Sequence, residues 1–152
     1  MGYLELIQKI NWKMAIVAGF AYMVIAYIVH TLEAILTMSF YTDPAYFGVW
    51  SKLMMPTAGP PPASFMLYSL LFNFITGVIL AGFYDWVRGL LPKDFTGKLV
   101  VFVEVLLAVT VIPGSLSMVL LFNLPLLLIV CWAISSLVIY LLVTWVFIKL
   151  LK

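Results

Sequence analysis

Apolar residues run along this chain in four long stretches, and most charged positions fall between them. Crossing a hydrocarbon core of about 30 Å takes about 20 apolar residues in a helix. The stretches from Met14 to Leu36, Ser64 to Trp86, Leu99 to Leu121 and Pro125 to Ile148 each meet that length. Their Leu, Ile and Val runs lack the alternation of a membrane barrel strand, and a helix satisfies its own backbone groups where no water can. The expected fold is all-α, an integral membrane four-helix bundle forming one transmembrane domain over residues 1–152.

The edges of these runs carry charge. Lys9, Lys13, Arg88, Lys93, Lys98, Lys149 and Lys152 fall on one side and Lys52 alone on the other, which accounts for all 8 basic residues. The positive-inside rule then puts both termini in the cytoplasm. In the third span Pro113 removes a backbone donor and Gly114 loosens the same turn, so a kink or early exit is expected there. Asn123 as a cap and Pro125 in the following first turn predict a tight hairpin between spans three and four.

The outer connection from Thr37 to Ala63 is the longest. Asp43 followed by Pro44 reads as a helix start, with a carboxylate cap and a proline in the first turn. Phe47, Trp50 and Met54 then recur at helical spacing with Ser51 and Lys52 off the stripe, predicting a short amphipathic helix on the outer interface that could gate whatever lies beneath. Pro60 to Pro62 form a stiff lead into the second span.

Composition sharpens the class. Residues are 66% hydrophobic and 9% charged, whereas soluble domains carry roughly 25% charged residues. The 16% of aromatic residues suits side chains that anchor at headgroup level. A net charge of +2 gives no reason to expect nucleic acid. Cys131 is the only cysteine, which excludes an intramolecular disulfide and a multi-cysteine metal site. The first apolar run is too long for a signal peptide and lacks a cleavage site, so Met1 is read as part of the mature chain.

Few polar residues within the spans carry candidate chemistry. Ala15, Gly19, Tyr22, Ala26, His30 and Glu33 follow one another at spacings of three and four, so they share a helical face whose small residues admit a neighbouring helix. Ionisable groups in a bilayer are costly, which makes His30 and Glu33 ligand or ion candidates by default. They could form a proton-carrying or cation-binding pair in an outer cavity, or an acid/base pair; equally, Glu33 could hydrogen-bond locally while His30 meets a neighbouring hydroxyl. His30 lies about 9 Å below the outer edge and Glu104 about 9 Å from the inner one, so in straight helices they cannot meet. Glu104 is a further ligand or ion candidate and is expected to reach Lys13 or Arg88. Asn73, Thr76, Gly77 and Ala81 form a small, polar stripe suited to helix packing, with Asn73 a further ligand candidate, and Asp85 with Arg88 reads as an interfacial ion pair.

One histidine cannot supply the paired axial ligands of a di-haem bundle within one chain, and His30 with Glu33 offers too few ligands for zinc or di-iron. No serine–histidine–carboxylate constellation is legible. No catalytic residue, metal ligand or cofactor is expected.

Leu91, Pro92 and Gly97, then Pro113, Gly114 and Ser117, then Asn123, Leu124, Pro125 and Trp132 give the second half of the chain a pattern that resembles a small family of prokaryotic four-helix membrane proteins. The resemblance implies the four-span topology and a prokaryotic cytoplasmic membrane, and no activity or site residues. The leading expectation is a non-enzymatic bundle working through its membrane surfaces, as an accessory subunit or a homo-oligomer, with lipid and other membrane subunits or itself as partners. The rival is a small transporter, channel or lipid- or ligand-binding protein using an outer cavity at His30 and Glu33; a membrane enzyme comes third.

Overall fold

A computed structural model describes residues 10–57 and 59–151; Lys9 and Lys152, counted above among the inner basic residues, lie outside them. Helix α1 (Trp12–Leu36) starts where the Asn11 side chain accepts the Met14 N–H at 3.2 Å. A break at Thr37 leads into the short α2 (Met38–Thr42). Helix α3 (Ala63–Val87) runs on into a 3-10 turn, Arg88–Leu90. The third span begins at α4 (Phe95–Leu106), ahead of the expected Leu99, because the Asp94 carboxylate caps it by accepting the Gly97 N–H at 2.7 Å. It continues through a π-helical segment, Leu107–Val111, into α5 (Ile112–Leu121), and α6 (Leu126–Leu150) completes the chain. Among the described residues there is no strand. The segments Trp12–Leu36, Ala63–Leu90, Phe95–Leu121 and Leu126–Leu150 are long and apolar enough to cross a membrane.

Pro113 leaves its mark as a bulge. It sits in the first turn of α5, and the Ile112 N–H reaches back five residues to the Leu107 carbonyl. A proline cannot donate to the carbonyl four residues before it, and widening the preceding turn accommodates the misfit without breaking the span.

Two local expectations are corrected. Asn123 does not cap α6; Pro125 occupies the cap position with no side-chain bond, and the Leu124 N–H closes the turn on the Phe122 carbonyl at 2.9 Å. Asp43 does form a local turn, accepting the Ala45 N–H at 2.9 Å, but the next element is a single 3-10 turn, Phe47–Val49, in place of an amphipathic α-helix through Met54. Trp50 is extended and its ring packs inward on Tyr41 at 4.7 Å and Trp132 at 6.3 Å. Burying that ring takes the chain out of helical register.

Helix α1 is the hub, packed along α3 on one side and α6 on another, while α6 also carries α4 and α5. At the α1–α3 crossing Gly19 faces Gly77. A Cβ added at Gly77 would fall 2.5 Å from Tyr22 Cβ and 2.9 Å from Gly19 Cα, so glycine is what lets the backbones approach. The core occupies the half of the bundle where α1 begins and α6 ends: Ala15, Ala18, Tyr84, Phe102, Val143 and Phe147 are buried together, with Tyr84 edge-on to Phe102 at 5.1 Å. That same end gathers Lys13, Arg88, Lys93, Lys98 and Lys149, opposite Lys52. Toward the other end the bundle loosens, and α5 has no buried residue.

Candidate functional site

Among the described residues three arrangements of ionisable groups stand out: a clasp at the basic end of the bundle, a cluster at the opposite end and an exposed carboxylate, Glu104. The clasp is built on Asp85, whose side chain is 2% exposed. Its Oδ2 accepts the Asn11 N–H at 2.8 Å, and its Oδ1 lies 2.9 Å from Arg88 Nε. The Arg88 guanidinium also donates to the Leu151 carbonyl at 2.9 Å. The ion pair expected from a spacing of three is therefore present, and it ties the start of α1 and the end of α6 to α3. Lys149 lies over the Phe95 ring, 5.4 Å from its centroid, closing the same end against α4.

At the opposite end Glu33 is buried, as its face on α1 requires. Thr37 Oγ1 lies 2.7 Å from Glu33 Oε1 and 2.8 Å from the Glu33 carbonyl, so its one proton serves one of the two. Below the outer connection the Trp132 indole N–H donates to the Tyr41 hydroxyl at 2.9 Å. Burial, with the Glu33 carboxylate adding to it, pushes the Tyr41 phenol above its ordinary value. Glu33, Thr37, Tyr41, Trp50 and Trp132 thus form one enclosed cluster. Its carboxylate lies against a threonine one turn away, an i, i+4 relation that sequence spacing could have revealed. Tyr41 and Trp132 lie 91 positions apart and carried no such signal.

The other candidates separate. His30, at the edge of the α1 face, is exposed on the outside of the bundle and makes no ion pair with Glu33 among the described residues. The expectation that both point into the bundle thus holds for Glu33 and is corrected for His30, because the face narrows to Ala26 and Glu33 at that level. Asn73 is half-buried and spends its amide on the Ser69 carbonyl of its own helix at 2.9 Å. Gly77 and Ala81 of the same stripe are buried against α1, and Thr76 is exposed. Of the gating candidates, Trp50 is docked inward, Phe47 is exposed and Met54 is half-buried, so they do not share a face; Met55, next in sequence, is the buried methionine.

Glu104 is exposed on the surface of α4, and no basic group among the described residues pairs with it. The expected contact with Arg88 is corrected, because that guanidinium is held by Asp85 and the Leu151 carbonyl. Among the described residues no group of three or more histidine, cysteine or acidic side chains could hold a metal ion. A recess of about 230 Å³ lies away from His30 and Glu33, between the π-helical end of α4, α5 and α6. There the Thr110 and Tyr140 hydroxyls meet at 2.9 Å, a contact without a signal in the sequence because neither residue marks a span edge. No known protein family, curated protein or solved structure matches the chain.

Proposed function

We propose that the chain is a single multi-pass membrane domain, with its basic end in the cytoplasm, that acts by interaction as an accessory subunit of a membrane complex or as a homo-oligomer. The observation that carries this reading is Glu104: a carboxylate within an apolar span, facing outward, without a partner among the described residues. An acidic group costs about 2.5–3.5 kcal/mol at the centre of a membrane helix on insertion scales, an upper bound for Glu104, which lies about 9 Å from the inner edge. A donor supplied by another polypeptide at that surface offsets the cost, and nothing inside the described bundle does. The transporter or ligand-binding reading requires His30 and Glu33 in one cavity, and with Glu33 enclosed and His30 outside it is the weaker of the two. A prokaryotic cytoplasmic membrane remains the proposed location.

The test is gentle extraction of the native protein followed by size and mass analysis, with Glu104→Gln and Glu104→Leu alongside. A discrete complex is expected for the wild type, retained in part by Glu104→Gln, which keeps hydrogen-bonding capacity, and dispersed by Glu104→Leu while the chain stays folded. A wild-type monomer, or a complex indifferent to Glu104→Leu, refutes the proposal.

A further inference from the structure

The recess between α5 and α6 is lined by hydroxyl-bearing side chains at membrane depth, and their hydrogen bonds can be followed one by one. The Thr110 hydroxyl lies 2.6 Å from the Leu106 carbonyl and donates to it. With that proton spent, the 2.9 Å contact to Tyr140 is a bond donated by the tyrosine. The Ser136 hydroxyl donates to the Trp132 carbonyl at 2.9 Å, and the Trp132 indole is turned away to Tyr41. The donors of all four residues are therefore committed, while the Tyr140 and Ser136 oxygens keep unused lone pairs. Ser115 sits on the facing wall, and a Cβ on the adjacent Gly114 would meet nothing within 4 Å.

The Tyr140 and Ser136 oxygens accept and the Ser115 hydroxyl, with no partner among the described residues, can donate, so the complement is a neutral group that both gives and takes a hydrogen bond, as a hydroxyl does. The volume of about 230 Å³ falls below the roughly 300–1,000 Å³ of pockets that enclose a whole drug-sized ligand. The recess therefore takes one end of a molecule whose remainder lies in lipid. Its walls run from Thr110, midway along Phe95–Leu121, out to Met118 near the end of that span, so it opens sideways toward the bilayer. The π-helical segment makes the site: it displaces Thr110 from the regular helical course, and such bulges frequently mark functional positions.

We propose that this groove is a lateral binding site for a neutral hydroxylated amphiphile, which donates its one hydroxyl proton to the Tyr140 oxygen, beside Ser136, and leaves its chain in the membrane. The site uses neither Glu104 nor the outer cluster, so it stands or falls separately from the interaction reading.

The experiment uses the full-length protein, in whatever assembly it is extracted, reconstituted into phosphatidylcholine nanodiscs. The probes are a long-chain alcohol bearing a mid-chain diazirine and the methyl ether of the same alcohol; photolabelled peptides are located by mass spectrometry. The alcohol is expected to label the peptides containing Thr110–Met118 and Ile129–Tyr140 about fivefold more than the ether, the ratio that one net hydrogen bond supplies. Tyr140→Phe, which keeps the ring, should bring the alcohol down toward the ether. Ser136→Met, which fills the groove, should abolish labelling by both. Equal labelling by alcohol and ether, labelling spread evenly over α1 and α3, or an alcohol preference that survives Tyr140→Phe overturns the proposal.

Discussion

Replacing Gly77 by alanine tests the way this bundle is held together, because two effects of opposite sign meet at one atom. A Cβ there falls 2.5 Å from Tyr22 Cβ and 2.9 Å from both the Cα and the carbonyl oxygen of Gly19. Carbon atoms rest about 3.5–4.0 Å apart, so α1 and α3 must part locally by about 1 Å. None of the opposing atoms is the end of a flexible side chain, which removes the cheap way of yielding. Overpacking of this kind costs about 1–3 kcal/mol, while alanine gains up to about 1 kcal/mol over glycine in helix propensity. The steric loss wins in a rigid crossing. The net loss of up to about 2 kcal/mol lowers the ratio of folded to unfolded protein by up to roughly thirtyfold, at about 1.4 kcal/mol per factor of ten. Gly114→Ala supplies the contrast: its Cβ meets nothing within 4 Å, so only the propensity gain remains and stability should hold or rise. Reversible unfolding of the full protein by SDS titration in mixed micelles, followed by far-UV circular dichroism, reads both variants. If Gly77→Ala is as stable as wild type, or the two variants shift alike, the close crossing does not stabilise the fold.

The clasp at the basic end makes a second prediction: Asp85→Ala leaves the Asn11 N–H and the Arg88 Nε–H without their acceptor, the guanidinium keeping only the Leu151 carbonyl, and should cost about 1–3 kcal/mol in the same titration, with Asp85→Asn intermediate. No loss on Asp85→Ala would mean that the clasp is idle. Across the groove, Thr110→Val and Tyr140→Phe should couple in a double-mutant cycle by about 0.6 kcal/mol, the size of interhelical hydrogen bonds in membranes; strict additivity would refute that bond. Burial raises the Tyr41 phenol, so the folded protein holds that proton more tightly than the unfolded chain does. Its contribution to stability is complete below the unfolded value of about 10 and is lost as pH rises through the folded one. The tyrosinate absorbance difference between wild type and Tyr41→Phe should therefore appear above pH 10; titration at or below that value refutes the enclosed cluster.

Local chemistry made the number of apolar spans and their approximate ends legible without coordinates. Length of apolar run, flanking lysines and cap residues are properties of neighbours in sequence, and α1, α3 and α6 begin and end within a few residues of the expected positions. The Asp85–Arg88 pair and the Gly77–Ala81 packing stripe were likewise readable, because helix periodicity decides which residues three or four apart share a face. Tertiary structure decided the rest. It drew Trp50 out of an amphipathic register to stack on Tyr41 and Trp132, and it left Glu104 outside by giving Arg88 two other acceptors. It also joined Thr110 to Tyr140 across a π-helical turn that shifts the helical phase. Each outcome involves at least one partner 30 or more positions away, Trp132 for Trp50, Leu151 for Arg88 and Tyr140 for Thr110, and periodicity within a single helix carries no such information.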